Sequence, residues 1–390
     1  MYDVIVVGSG FSGSVIARAL ADKHNKKVLV IEKRDHIAGN MYDEYDDHGV
    51  LIHKYGPHVV VTDKWEVIKY LSQYSEMYEH TVKELSFIDG KYVRLPFNFE
   101  TVKQLVGEEK AELLLTKMRK VFCGEDRVSV GQLVRCEDPD ISEYGKLLFN
   151  KAYVTYCAKQ WDTPVEKLDA SIMDRVKMVI GYDERYMNKD FQFLPQNGYT
   201  KLFENLLNHE NIKIRLNEDA NSHLKLNTQT NSITYDNEEV GLLVYTGAID
   251  ELFQSKYGDL PYRSLDIRYE WFDKEKVFPQ EIISFPQAKG YTRKTEYRQM
   301  MNSFEKCSGS TIATEYPTAY VKGSQNSPYY PVITDDTKNI YLKYLNDAST
   351  FKNLFLCGRL AEFRYYNMDE CILRAFDVIR DIEAFLANDN

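Results

Sequence analysis

The chain has 390 residues, is 44% hydrophobic and 28% charged, and carries a formal net charge of −10. That composition belongs to a globular protein able to bury a large core in two or three lobes. The negative balance, with no basic block longer than a few residues, argues against nucleic acid as a partner. No apolar stretch approaches the roughly 20 residues that cross a bilayer, and the short apolar start runs directly into glycines, so neither a membrane span nor a signal peptide is expected. The six cysteines (Cys123, Cys136, Cys157, Cys307, Cys357 and Cys371) form no CxxC pair. They read as reduced thiols in a cytoplasmic protein, with neither a disulfide framework nor a metal site.

Taken in chain order, the clearest signal comes first. Asp3 to Val7 reads as a buried parallel strand, followed by Gly8-Ser9-Gly10-Phe11-Ser12-Gly13, a helical stretch from Ser14 to Ala21, and a second apolar run, Val28 to Ile31, closing on Glu32. In this dinucleotide fingerprint Gly8 permits the tight turn, Gly10 the close approach of a pyrophosphate, and Gly13 the packing of helix on strand. The helix N-terminus offers N–H groups to the phosphates. Glu32, 24 residues after Gly8, is placed to accept from a ribose, which disfavours NADP and leaves FAD or NAD. Two features favour FAD: the Ile37-Ala38-Gly39-Asn40 turn, and Gly358, which follows an apolar strand and precedes a helical stretch from Asp369 to Ala387.

Met41 to Lys54 and Leu85 to Leu95 read as hairpins, the second around Asp89-Gly90, and Lys64 to Tyr74 as a helix. From Phe99 to about Val179 the pattern is mostly helical, with Leu105, Ala111, Leu114, Leu115 and Met118 on one face. A further helix starts at Tyr199. Strands follow at Ile212 to Leu216 and Ser232 to Tyr235, and Val240 to Thr246 returns to the nucleotide sheet. Residues 262–348, rich in Tyr, Phe, Thr and Val at alternate positions, read as an antiparallel sheet. The expected architecture is α/β: a discontinuous Rossmann-like FAD-binding domain (1–60, 195–260, 350–390), a helical substrate lobe (99–180) and an antiparallel β-sheet domain (61–98, 261–349). The 29 tyrosines, several beside Arg or Pro as in Tyr329-Tyr330-Pro331 and Arg364-Tyr365-Tyr366, suit either stacking in a cleft or plain packing.

Ten segments point to one family: GSGFSG (8–13), VLVIEKRDHIAGN (28–40), HKYGPH (53–58), RLPFN (94–98), YCAKQW (156–161), NGYTKL (197–202), YTR (291–293), TEYP (314–317), PYYPV (328–332) and GRLAEFRYYNMDE (358–370). In this order the chain resembles the bacterial UDP-galactopyranose mutases over nearly its whole length. The resemblance implies an FAD enzyme that interconverts pyranose and furanose forms of a nucleotide-diphosphate hexose such as UDP-galactose, dTDP-fucose or UDP-N-acetylgalactosamine. It implies homodimers that supply furanose units for surface polysaccharide such as O-antigen. In that family the reduced flavin N5 attacks the anomeric carbon, forming a covalent adduct with no net redox.

Carried over by similarity, Arg293 and Arg359 clamp the diphosphate, assisted by Tyr186, Tyr329 and Tyr365. Trp161 and Tyr156 contact the substrate, Glu315 shapes the same cleft, and His58 lies near the flavin. Lys33, Gly39, Asn40, Val59, Gly358, Asn367 and Met368 join Gly8, Gly10, Phe11, Ser12, Gly13 and Glu32 around the cofactor. The departures are Val61, Val82 and Val179 where the family has polar residues, Asp162 after Trp161, and Asn367 within the YYNM string. Lys177 and Arg175 are the nearby candidates to replace an arginine expected at Val179. Valines near the sugar would suit a substrate with a methyl in place of a hydroxyl. Two alternatives stand beside the mutase: an FAD-dependent oxidoreductase of the amine-oxidase type, and an inactive nucleotide-sugar-binding homologue. The KQW and YTR strings favour the mutase over the first, and the retained arginines over the second.

Overall fold

The strand Val4–Val7 lies at the centre of a five-stranded parallel sheet in a computed structural model that describes residues 2–161, 177–185, 187–304, 307–324 and 326–388. Across the sheet the order is Ile212–Arg215, Val28–Ile31, Val4–Val7, Leu242–Tyr245 and Leu354–Leu356. The inner strands are continuous apolar runs because both faces are covered, as parallel sheets require. On one face lie the helices Phe11–His24, Gly198–Leu207 and Met368–Asn388, with Val15, Ile16, Leu20, Phe203 and Ile372 in the core. On the other, Ile5, Leu29 and Ile31 meet Ile249, Phe253 and Tyr344.

The helix starting at the NGYTKL string is held by one buried acid. Asp43 accepts from the N–H groups of Tyr199 (2.6 Å) and Thr200 (2.8 Å). Gly198 has φ +82°, and a Cβ there would stand 2.8 Å from Asp43 Oδ2, so the glycine is required by that cap. The string therefore fastens the hairpin at Asp43–Tyr45 to the helix Gly198–Leu207.

A seven-stranded sheet runs Tyr330–Pro331, Tyr262–Phe272, Ser310–Ala319, Arg293–Glu296, Ile282–Ser284, Glu84–Ile88, Lys91–Leu95. It departs from the expected antiparallel sheet at one point: Ile282–Ser284 runs parallel to Glu84–Ile88. These strands are far apart in the chain, so no hairpin dictates their direction. The hairpin at Asp89-Gly90 forms as expected, with φ of +50° and +78°. Residues 61–79 do not join this sheet. Val60–Thr62 and Met77–Glu79 flank Phe191–Pro195 in a separate three-stranded sheet.

Two further differences concern element type. Asp335–Ala348, inside the stretch read as sheet, is a helix. Its start is a capping box between Thr334 and Thr337, and Tyr344 and Ala348 face inward one turn apart. Tyr- and Thr-rich composition hid that spacing. Lys177–Val179 is not helical but pairs antiparallel with Arg127–Ser129 beside the helices of the lobe. Those helices are Phe99–Val106, Glu108–Val121, Val130–Val134, Pro139–Leu148 and Val154–Trp161. Ala111, Leu114, Leu115 and Met118 are buried there as predicted, with Leu105 packed at the edge.

Candidate active site

The glycine loop does what its spacing requires. At Gly8 (φ +98°) a Cβ would stand 2.1 Å from Thr246 Oγ1, and at Gly13 only 2.0 Å from the Gly8 carbonyl oxygen. Gly39 (φ +55°) comes so close to Gly10 that a Cβ would meet its Cα at 3.0 Å. The helix Phe11–His24 begins at Gly10 with no side-chain cap, so its first N–H groups stay available to an anion. Glu32 Oε2 accepts from Ser9 N (3.0 Å) and Ser9 Oγ (2.8 Å), and Oε1 from Arg34 N (3.1 Å). Oε1 keeps a lone pair for a ribose hydroxyl.

These residues line a cleft of about 200 Å³. Gly8, Gly10, Phe11, Ser12, Glu32, Lys33, Gly39, Asn40, Gly358, Arg359, Met368 and Tyr329 are in its wall, whereas Gly13, His58, Val59 and Asn367 are not. Gly13 acts from behind, Val59 packs on the core, and Asn367 N donates to Glu370 Oε2 at the start of the last helix. Sequence reasoning missed Arg34, Glu218, Asp219, Asn221, Thr246 and Glu251, which also line it. Most follow the carboxyl ends of parallel strands, where α/β sheets place their ligands, and that rule was the available signal.

A second group of residues adjoins the cleft. Arg293 and Glu315 are directly opposed on neighbouring strands. Their side chains form two bonds of 2.9 Å each, Nε to Oε1 and Nη2 to Oε2. Glu315 is 3% exposed and Arg293 27%, and Nη1 donates to none of the described residues. Burial disfavours the guanidinium charge, but Glu315 outweighs it and keeps Arg293 protonated above its ordinary range. Arg359 donates to the carbonyls of Tyr329 (2.9 Å) and Tyr366 and lies over the rings of Tyr330 and Tyr365, 4.9 and 5.0 Å from their centroids. Those two rings stack on each other at 13°. Arg34 adds a third cation, bonded to Asn40 Oδ1 at 2.9 Å and lying over Tyr55.

Gly56 (φ +94°) brings residues 53–58 against this pair, within 3.8 Å of Arg293 for a Cβ placed on it. His58 N donates to His53 Nδ1 (3.1 Å), while His58 Nδ1 is buried with no partner within hydrogen-bond distance among the described residues. Burial, then His53, Arg359 and Arg293, push His58 well below the usual range, so the ring is neutral. His53, fully enclosed, falls to about 3 through burial. Tyr269 and Tyr297 each donate to the His53 carbonyl at 2.9 Å, tying the segment to the seven-stranded sheet.

Tyr156 projects from the helix Val154–Trp161 into the same field. Burial raises its hydroxyl, and Arg293, Glu84, Glu315 and Tyr330 all act on it. Tyr186 and the side chain of Trp161 lie outside the described residues, as do Asp162 and Arg175. Tyr329 is buried and Tyr365 half open. None of the three valines lines the cleft. Val61 pairs with Gln192, the Val82 N–H donates to Gln192 Oε1, and Val179 pairs with Arg127; Lys177 is exposed.

The lysine of the KQW string has a definite task. Lys159 Nζ donates to the carbonyls of Phe285 (2.8 Å), Ala288 (2.8 Å) and Tyr291 (2.9 Å). Burial lowers it to about 8 while three carbonyls favour the charged form. It thereby fixes the loop that leads into Arg293 to the helix that carries Tyr156. Lys159→Met is expected to lower kcat/KM by about 10- to 100-fold through this displacement, with flavin retained. Steady-state kinetics beside the flavin spectrum checks it; an unchanged kcat/KM defeats the assignment.

A glycine-loop nucleotide cleft opening onto arginines, one paired with an acid and one stacked on tyrosines, defines a dinucleotide-cofactor enzyme that handles an anionic substrate. The profile of NAD(P)-binding Rossmann-like domains matches residues 6–74, and the profile GLF, UDP-galactopyranose mutase, matches residues 151–365. The chain is 34% identical over 379 residues to the UDP-galactopyranose mutase of Mycoplasma genitalium, covering 95% of this chain and 92% of that one. It is 33% identical to the dTDP-fucopyranose mutase of Escherichia coli, covering 97% of each. It belongs to the UDP-galactopyranose mutase family. Among solved structures, reduced UDP-galactopyranose mutase matches with a TM-score of 0.68 at 14% identity, covering 98% of this chain and 94% of that one. A putrescine oxidase matches at 0.57 and 13%, covering 98% and 99%. Fold alone therefore leaves the oxidase reading open, and the family match closes it. The cofactor is FAD, and the cradle at Gly8, Gly10 and Gly39, the uncapped helix and Glu32 fit its adenosine diphosphate.

Proposed function

We propose that this protein is an isomerase interconverting the pyranose and furanose forms of a nucleotide-diphosphate hexose, UDP-galactose or a 6-deoxy relative such as dTDP-fucose. The observation that carries this reading is the Arg293–Glu315 pair, whose Nη1 donates to none of the described residues; Arg293 acts on buried His58 together with Arg359, which stands in the wall of the nucleotide cleft. When bound, reduced flavin supplies a nucleophile for the anomeric carbon, with no net redox. The protein's part is electrostatic and positional. Arg293 and Arg359 hold the leaving nucleoside diphosphate near the sugar for its return, with Tyr329 and Tyr365 beside them. Glu315 fixes the orientation of the planar Arg293 fork through two parallel bonds. His58, kept neutral by burial, is by similarity placed near the flavin. By similarity, Trp161 and Tyr156 contact the substrate and the Tyr186 hydroxyl assists at the diphosphate.

The domain reading that fits this function is a FAD domain assembled from 1–60, 195–260 and 350–390, a helical substrate lobe over 99–180 and a sheet domain from 61–98 and 261–349. The same reading makes the protein a cytoplasmic homodimer that supplies furanose units for surface polysaccharide. Incubating dithionite-reduced protein with UDP-galactopyranose and dTDP-fucopyranose, then separating the products chromatographically, tests the proposal. Furanose product from at least one substrate, formed only by reduced protein, is expected. Oxygen or NAD turnover without any isomerised sugar would overturn it.

A further inference from the structure

Glu84 is the buried ionisable group for which the mechanism above has no use. It opens the strand Glu84–Ile88 and is 7% exposed. Among the described residues no group donates a hydrogen bond to its carboxylate. Strand pairing sets its direction. Glu84, Ile282, Thr295 and Ala313 form one row across four strands, and Ser86, Ser284, Arg293 and Glu315 form the row beside it. Residues directly opposed, or two apart along a strand, share a face. Glu84 therefore shares the face of Arg293, two strands away and one row along, and of Glu315, three strands away; two strands span roughly 10 Å at ordinary sheet spacing.

The same row holds a second unspent polar group. Thr295 is fully buried, and its Oγ1 has no partner among the described residues. A carboxyl and a hydroxyl left without partners on one face, beside the cation proposed to hold diphosphate, are the pattern of a site built for a polyhydroxylated ligand. A diphosphate would be repelled from an acid and is already provided for. A hexose, with donors and acceptors all round, is the part of the substrate that such a pair can satisfy.

We propose that Glu84 is a sugar-recognition residue whose carboxyl group hydrogen-bonds a hydroxyl of the hexose, with Thr295 as its partner on the same row. The inference rests on the mutase reading. The groups acting on Glu84 are Arg293, Glu315 and Glu281 from the sheet and Tyr156 from the facing helix. Burial raises its carboxyl to about 7, against the pull of Arg293 and with the push of Glu315 and Glu281. A carboxyl that keeps its proton near neutrality can stand next to a bound diphosphate without repelling it, and can donate as well as accept.

The test uses the flavin-loaded, full-length protein with Glu84→Ala and Glu84→Gln. Dissociation constants are measured for UDP-galactopyranose and UDP, and for dTDP-fucopyranose and dTDP. Glu84→Ala is expected to weaken the nucleotide sugar that the wild type prefers by about tenfold or more. It should leave the free nucleotide within twofold, with the flavin spectrum and reduction potential unchanged. Glu84→Gln, which keeps a donor and an acceptor, is expected to recover most of the loss. Equal weakening of sugar and free nucleotide would reduce Glu84 to a structural role and overturn the proposal. So would a shifted flavin potential with unchanged sugar affinity, or no effect at all. If the wild type itself binds neither nucleotide sugar more tightly than the free nucleotide and isomerises none, the mutase reading fails, and this assignment with it.

Discussion

Arg293→Met is expected to lower kcat/KM by about 100- to 1,000-fold, the usual cost of losing one charge-stabilising donor at a reaction centre. Two effects combine. The diphosphate loses the guanidinium that its neighbour holds in place, and Glu315, 3% exposed, loses the partner that balances its buried charge. An unpaired buried acid costs about 3–5 kcal/mol before it takes up a proton, so thermal stability should fall as well. Arg293→Lys is not a mild substitution here, because an ammonium cannot reproduce two parallel bonds to one carboxylate. A companion variant separates the two effects. Arg293→Met combined with Glu315→Leu should regain stability while activity stays low. If the double variant regains turnover, Arg293 serves only to neutralise Glu315.

The second large effect belongs to the cofactor loop. Gly13→Ala puts a methyl group 2.0 Å from the Gly8 carbonyl oxygen and 3.1 Å from Val6 Cγ1. The first of these is backbone inside the fingerprint and cannot step aside without moving the turn that receives the pyrophosphate. The variant is expected to purify almost free of flavin and to lose about 1–3 kcal/mol of stability from overpacking. Absorbance of the released flavin and a melting curve report both. Gly90→Ala is the matched control. Unlike Gly13 it has positive φ (+78°), but nothing lies within 4 Å of the added carbon, so it should keep its flavin at a cost of about 1 kcal/mol. Equal flavin content in the two variants would contradict the packing argument.

Where a residue's function depends on local backbone, the sequence displayed it plainly. The three glycines and Glu32 act within one strand-turn-helix-strand unit, so spacing alone carried their roles. The Arg293–Glu315 pair was accessible only as two separate strings, YTR and TEYP, whose strands prove to be neighbours. Glu84 was invisible for the complementary reason. In a hairpin strand beside Lys83 it reads as an ordinary solvent-facing acid, and only pairing with Ile282, almost two hundred residues on, turns it inward. The valines were legible only as departures from polar positions of the family: Val61 and Val179 lie in small sheets and the Val82 N–H donates to Gln192, all three outside the wall of the nucleotide cleft. The helix Asp335–Ala348 was lost because aromatic, Thr-rich composition outweighed its i, i+4 spacing.

The order of strands in the nucleotide sheet has a consequence for synthesis. Val4–Val7 and Val28–Ile31 emerge first, but their neighbours arrive with residues 212–215, 242–245 and finally 354–356. Gly358, Arg359 and Met368, which complete the cleft wall, are made later still. A growing chain therefore presents the glycine loop with an unpaired sheet edge long before it can enclose a flavin. The full wall of the cleft therefore exists only once the chain has been made as far as Met368, and the high proportion of distant pairings makes assembly slow.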